Sequence, residues 1–218
     1  MSVRSKVEVK GFEARYYDKL MDIIALGTYS SFLKKVVYDM NLQKGEKVAD
    51  FGGGTGRNAL IMRKYVENEG EIVCFEVGEE MISQAESRFL MYENMRVERQ
   101  DIRVPLEYRD YFDVVFMSFV LHGFEQHDRI KIVENASRAL KHGGRICILD
   151  YSEFDIRKMN FVLRYLFTHL ECPLALEFIS MDIKSFLSKN GFVDFKENFY
   201  YHGYVRLICG KKVNTDEA

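Results

Sequence analysis

From residue 47 onward, short apolar runs alternate with segments whose apolar residues recur at helical spacing. The strand-like runs are Lys47–Phe51, Glu71–Val77, Arg96–Arg99, Asp113–Phe119 and Arg145–Tyr151; between them lie Arg57–Tyr65, Glu79–Met91 and Asp128–Leu140. Along the last of these, Ile130, Val133, Ala136, Ala139 and Leu140 are expected on one face, away from Asp128, Lys131 and Glu134. LKHGG follows, where Gly143 or Gly144 can take the left-handed conformation that closes a helix. Such alternation leaves few folds open. Parallel strands need long crossovers, and helices in those crossovers cover both faces of a sheet.

The alternation breaks near the end of the chain. A helix expected over Ile183–Asn190 precedes two β-rich runs, Phe192–Tyr200 and Tyr204–Cys209, parted only by Tyr201–Gly203. So short a link joins antiparallel neighbours. The expected fold is therefore α/β: a doubly wound, seven-stranded, mostly parallel sheet with an antiparallel C-terminal hairpin. With 218 residues, two prolines and no internal repeat, the chain is expected to form a single domain. Two segments stand outside the alternation, about 11–40 and about 154–179. Each is expected to be a helical cap near the carboxyl ends of the strands, where open α/β sheets bind ligands.

Composition narrows the partners. A formal net charge of -2 gives no electrostatic case for nucleic acid. The N-terminal residues lack an apolar signal core and no window suits a membrane span, so a cytoplasmic protein without stable membrane insertion is expected. Cys74, Cys147, Cys172 and Cys209 form no CxxC and no zinc-like spacing with histidine; the three in strand-like runs read as small buried hydrophobes. No metal is implied.

The first strand runs into VADFGGGTGRNAL, residues 48–60, with four glycines in five positions. Glycine loses the most backbone entropy on folding, so the cluster points to a backbone that something approaches closely. A P-loop is excluded, because Arg57 and Asn58 stand where Lys and Ser/Thr are required. Gly54 to Ala59 does satisfy G-x-G-x-x-A, with Glu76 near the distance of a ribose-binding acid, so an NAD(P)-dependent oxidoreductase stays open. Asp50, two residues before Gly52, extends the pattern to D-x-G-x-G-x-G. A carboxylate there suits a cationic ligand and would repel a pyrophosphate.

This arrangement resembles the class I S-adenosyl-L-methionine (SAM)-dependent methyltransferases, over roughly residues 12–211. The resemblance implies that Gly52, Gly54 and Gly56 pass under the amino-acid part of the cofactor while Asp50 helps to hold its cationic end. It implies that Glu76, with Val77 beside it, bonds the ribose hydroxyls, and that Met81 packs on the cofactor or belongs to the core. Asp101 and Ile102 after the third strand would recognise adenine. Ser118 and the loop after it would face cofactor and substrate. LKHGGRICILDYS resembles the family's LKPGG turn, with His142 in place of proline.

A closer resemblance, to the ubiquinone/menaquinone C-methyltransferase family, rests on YDKLMDIIALGTYSSF (Tyr17–Phe32), which looks like Y-D-x-x-x-D-x-x-x-L-G, and on GGTG in the loop. It adds Tyr17 and Thr55 to the implied cofactor contacts. The chain departs from that family's R-N-V after the fourth strand, where it has Leu121-His122-Gly123-Phe124.

The expected activity is in-line methyl transfer from SAM to a small, apolar or aromatic acceptor. A cofactor-binding regulatory protein without turnover remains a third alternative. If the acceptor must lose a proton, His122 and Tyr29 are the candidate bases; His122 reads equally as a packed or capping histidine. Phe154, Phe161, Tyr165, Phe167 and Phe178 read as the inner face of a cap helix or as pocket lining.

Overall fold

The computed structural model describes residues 28–170 and 173–213. Numbered in chain order, the helices are α1 (Tyr29–Asp39), α2 (Arg57–Val66), α3 (Glu79–Phe89), α4 (Gln126–Ala139), α5 (Phe161–Leu170), α6 (Pro173–Phe178) and α7 (Ile183–Lys189). The strands are β1 (Lys47–Phe51), β2 (Glu71–Glu76), β3 (Met95–Arg99), β4 (Phe112–Ser118), β5 (Leu140–Tyr151), β6 (Phe192–Tyr200) and β7 (Val205–Lys212). They form one sheet in the order β3-β2-β1-β4-β5-β7-β6. β1 to β5 are parallel, and β7 runs antiparallel to both of its neighbours, β5 and β6.

The strands read as unbroken apolar runs because both sheet faces are covered. Alternate residues feed two cores. Ala49, Phe51, Val73, Phe75, Val115 and Met117 pack with α4 and α7 on one face. Val48, Ile72, Cys74, Val114 and Phe116 pack with α1, α2 and α3 on the other. Charges suit the helix dipoles: Glu79 and Glu80 open α3 and Arg88 lies in its last turn. α7 is capped by Asp182, whose carboxylate accepts the Ser185 N–H at 2.9 Å. Among the described residues, no helix is long and apolar enough to cross a membrane.

Three expectations are corrected. First, of the five residues expected on the inner face along α4, Val133, Ala136, Ala139 and Leu140 are buried but Ile130 is not. Ile130 is 38% exposed while Ile132, Val133 and a fully buried Arg129 point into the protein. Second, α4 ends at Ala139 with an extended Leu140, so the left-handed Gly143 lies inside the start of β5 rather than closing the helix.

Third, Cys147 and Cys209 are directly opposed on β5 and β7 and joined in a disulfide, with Cα atoms 4.1 Å apart. They are not two independent small hydrophobes. Cys74 does stand buried as a free thiol. α1, the described part of the segment about 11–40, packs in the second core through Tyr29, Leu33, Val36 and Val37. Phe167, Leu174, Ala175 and Ile179 form a separate small cluster, with Tyr151 at the end of β5 and Phe154 packed against it.

Candidate active site

Strand order reverses between β1 and β4, so their carboxyl ends part and leave a crevice. The loop after β1 lines it. Gly52, Gly54 and Gly56 take φ of +72°, +55° and +77°, the left-handed region that only glycine enters at little cost. Two of the three also allow close packing. A Cβ on Gly56 would stand 2.5 Å from the Phe89 ring, and one on Gly52 would stand 2.8 Å from Val120 Cγ2. Around Gly54 the space is open, the nearest atom being the Gly52 carbonyl oxygen at 4.0 Å. Gly54 is thus the part of the loop an incoming group can approach.

Glu76, at the end of β2, faces this open point. Its Oε2 accepts the Gly54 N–H at 3.0 Å, and its Oε1 accepts the N–H groups of Val77 and Gly78 at 2.8 and 2.9 Å. A carboxylate offers about four acceptor positions, so a hydroxyl donor can be added beside these three. Met81, in the first turn of α3, is buried against Gly78.

Asp50 lies beneath the loop, 1% exposed. Its Oδ2 receives only a long contact from the Cys74 thiol, 3.9 Å. Among the described residues, its Oδ1 and the Oδ1 of Asn58 are buried without a hydrogen-bond partner. Burial, reinforced by the nearby charge of Glu76, pushes the Asp50 carboxyl up to about 7. Two unsatisfied acceptors and a suppressed negative charge suit a ligand that brings a cation or N–H donors. The residues therefore fit the ammonium-bearing, sulfonium-bearing end of SAM better than a dinucleotide phosphate.

Other expected contacts are partly committed elsewhere. Thr55 is turned towards α3, where Arg88 Nη1 donates to its hydroxyl at 2.7 Å and to its carbonyl at 3.0 Å. Asp101 holds Arg103 in a bidentate pair whose shorter contact is 2.6 Å, and the Arg103 cation keeps its carboxyl below the usual range. Ile102 is buried, and its carbonyl accepts from Asn135 Nδ2 at 2.8 Å. Ser118 is half-buried at the end of β4. Tyr29 is buried on the glycine-loop side of the sheet, its ring 5.2 Å from the Arg57 guanidinium. Tyr17 lies outside the described residues.

His122 sits in a short turn, Leu121–Gly123, after β4. Its Nδ1 is 2.8 Å from Oδ1 of Asp150, at the end of β5, and its backbone N–H donates to Oδ2 of the same carboxylate at 3.2 Å. The ring packs edge-on to Tyr151, which in turn meets Phe167 of the cap, each at 5.1 Å between centroids. The expected aromatic stripe divides. Phe154 and Phe167 join this chain of rings, Phe178 belongs to the main core, and Phe161 and Tyr165 are exposed.

Asp150, Arg129 and Asn135 carry weight that sequence reasoning missed. Arg129 Nε donates to the Leu121 carbonyl at 3.1 Å and its guanidinium reaches Leu174 O and Glu177, tying the histidine turn to α6. The only signal in the sequence was a polar residue at a core position of a helix. Asp150 gave less, since an acid at a strand end reads as its solvated terminus.

The profile of the ubiE/COQ5 methyltransferase family matches residues 5–194. The chain belongs to the ubiE/COQ5 methyltransferase family. The ubiquinone/menaquinone biosynthesis C-methyltransferase UbiE of Methylococcus capsulatus is 30% identical over 142 residues, 63% of this chain and 56% of that protein. The demethylmenaquinone methyltransferase of Staphylococcus aureus is 28% identical over 141 residues, 64% of this chain and 57% of its own length. The chain thus spans little more than half the length of these two relatives. A SAM dependent methyltransferase from Aquifex aeolicus has the same fold, with a TM-score of 0.61 at 20% identity, covering 83% of this chain and 89% of that one. The resemblance to this family seen in the sequence is borne out.

Proposed function

We propose that this member of the ubiE/COQ5 family is a SAM-dependent methyltransferase, folded as one catalytic domain capped by residues 154–179, with a small, apolar or aromatic acceptor. One observation carries the proposal: the Gly54 N–H meets the Glu76 carboxylate in a loop flanked in sequence by Asp50 and Asn58, each with a buried, unsatisfied side-chain oxygen. When bound, SAM supplies an activated methyl group on a cationic sulfur with a neutral leaving group. Glu76 would take a ribose hydroxyl, the backbone at Gly54 would admit the amino-acid part, and Asp50 would balance its positive charge.

With the methyl group already activated, the work of the chain is alignment. Orientation can supply roughly 7–11 kcal/mol of a barrier. The rings of Tyr151, Phe154 and Phe167 offer an apolar wall for the acceptor at the cap. Incubation with SAM labelled in the methyl group and a panel of aromatic and aliphatic acceptors tests the proposal. Label in an apolar product supports it. SAM that binds normally but transfers label to nothing would favour the regulatory alternative.

A further inference from the structure

Arg129 is one of the largest fully buried side chains among the described residues, and the chemistry proposed above leaves it unused. It lies on α4 between two parts of the site, the turn after β4 and helix α6 of the cap. We propose that Arg129 is a positioning residue that couples the two, so that SAM in the glycine loop and docking of α6 favour one another. The proposal rests on the methyltransferase function given above and adds a route by which loop and cap communicate.

The guanidinium bridges two stretches of backbone. Nε donates to the Leu121 carbonyl at 3.1 Å, Nη2 to the Leu174 carbonyl at 3.2 Å, and Nη1 to Glu177 Oε1 at 2.8 Å. Cζ stands 5.2 Å from the centre of the Phe178 ring. The fork is planar and rigid, so the two carbonyls are held at fixed positions relative to one another. Leu174, Glu177 and Phe178 all belong to α6. If α6 lifts away, these contacts go together and a buried cation is left short of acceptors. Partial opening is therefore costly, which gives α6 two discrete states rather than a continuum.

The other end of the linkage is the glycine loop. Val120, the residue before Leu121, closes on Gly52 so tightly that a Cβ there would stand 2.8 Å from its Cγ2. Phe119, one residue earlier, takes φ of +54°, a strained backbone for a bulky side chain. Its N–H is pinned to the sheet, donating to the Leu149 carbonyl at 2.8 Å. Val120 and Leu121 thus leave a fixed, strained point and answer to the loop on one side and to Arg129 on the other.

A ligand that settles the backbone around Gly52 fixes Val120, and with it the carbonyl next in the chain that Arg129 holds. By reciprocity, docked α6 favours the ligand-bound loop by the same factor. A cap that docks when the methyl donor is present also keeps water from the reacting centre.

Hydrogen exchange of the full chain, with and without saturating SAM, tests the coupling without any acceptor. Under conditions where the amides of β4 do not exchange, only local opening is seen. SAM should then slow exchange at the Ile179 and Met181 amides, which bond to the Ala175 and Phe178 carbonyls of α6. The expected slowing is at least about fivefold, couplings between sites typically amounting to about 5–150-fold. In Arg129→Lys, whose single ammonium cannot reproduce the fork, the slowing should vanish and the Kd for SAM should rise at least about fivefold. Val120→Ala, which removes the methyl group that meets Gly52, should weaken the slowing too. Glu177→Gln keeps both carbonyl bonds and should retain it. So should Ile72→Ala, a cavity at the start of β2 that lowers stability alone.

Slowing that survives in Arg129→Lys, or its loss in Ile72→Ala, would overturn the proposal. If Arg129→Lys does not fold, Val120→Ala decides, and full slowing there overturns it. SAM that binds the wild type without slowing α6 overturns the coupling alone. SAM that fails to bind overturns the methyltransferase function and the coupling with it.

Discussion

The carboxylate of Glu76 and the backbone N–H of Gly54 are joined at 3.0 Å across the ends of β1 and β2, neighbouring strands in parallel register. The bond holds the one of these three glycines around which the space is open. It holds the Gly54 amide against the acid that would bind the ribose, while Gly52 and Gly56 are pressed against Val120 and Phe89.

Alanine at these glycines should therefore separate stability from binding. Gly56→Ala forces a Cβ into the Phe89 ring at positive φ, and is expected to cost about 2–4 kcal/mol of stability, from left-handed strain and overpacking together. Gly54→Ala meets open space and should cost only about 1–2 kcal/mol, the left-handed term alone. Its affinity for SAM should fall at least about tenfold, equivalent to about 1.4 kcal/mol. Urea denaturation and calorimetric titration of the two variants check this.

Asp50 makes stability depend on pH. Burial, with the nearby charge of Glu76, pushes its carboxyl up to about 7 in the folded chain, from an ordinary value of 3.8. Between those values the unfolded chain binds fewer protons, so the group's contribution to stability is fullest below about pH 4 and is lost as pH rises through about 7. Asp50→Asn should flatten that part of the stability curve. A cationic ligand favours the ionised acid, so SAM binding near pH 6 is expected to release a proton. Calorimetry in buffers of different ionisation enthalpy measures it, and binding with no proton change would contradict the assignment.

Arg129 is 0% exposed, whereas its partner Glu177 is 54% exposed at the side chain. The two ends of this ion pair should respond unequally. Arg129→Met leaves the buried carbonyls of Leu121 and Leu174 without their donor, at about 1–3 kcal/mol for each. Glu177→Gln changes a solvated partner and should cost no more than about 1 kcal/mol. Equal losses in denaturation midpoint would show that the ion pair, not the carbonyl bonds, anchors α6.

The sheet was legible because strands buried on both faces must be apolar throughout, and the glycine loop because its backbone angles demand glycine. Contacts set by the three-dimensional register were not. Nothing in ICILDY shows that Asp150 meets His122, or that Cys147 stands opposite Cys209; both follow from how β5 lies beside its neighbours. Counting apolar residues on α4 put Ile130 inside, because such a count cannot foresee that Arg129 is buried to bind carbonyls. Thr55 shared the loop's resemblance yet points to Arg88. Periodicity reports which residues avoid water, not which polar groups find one another.

The central claim is that this loop holds SAM, and calorimetric titration of the wild-type chain and of Glu76→Ala, with SAM and separately with NADH, tests it most directly. Saturable SAM binding that the substitution weakens by at least about tenfold, with no binding of NADH, is the predicted result. Binding of NADH alone would contradict it and hand the glycine loop to a dinucleotide.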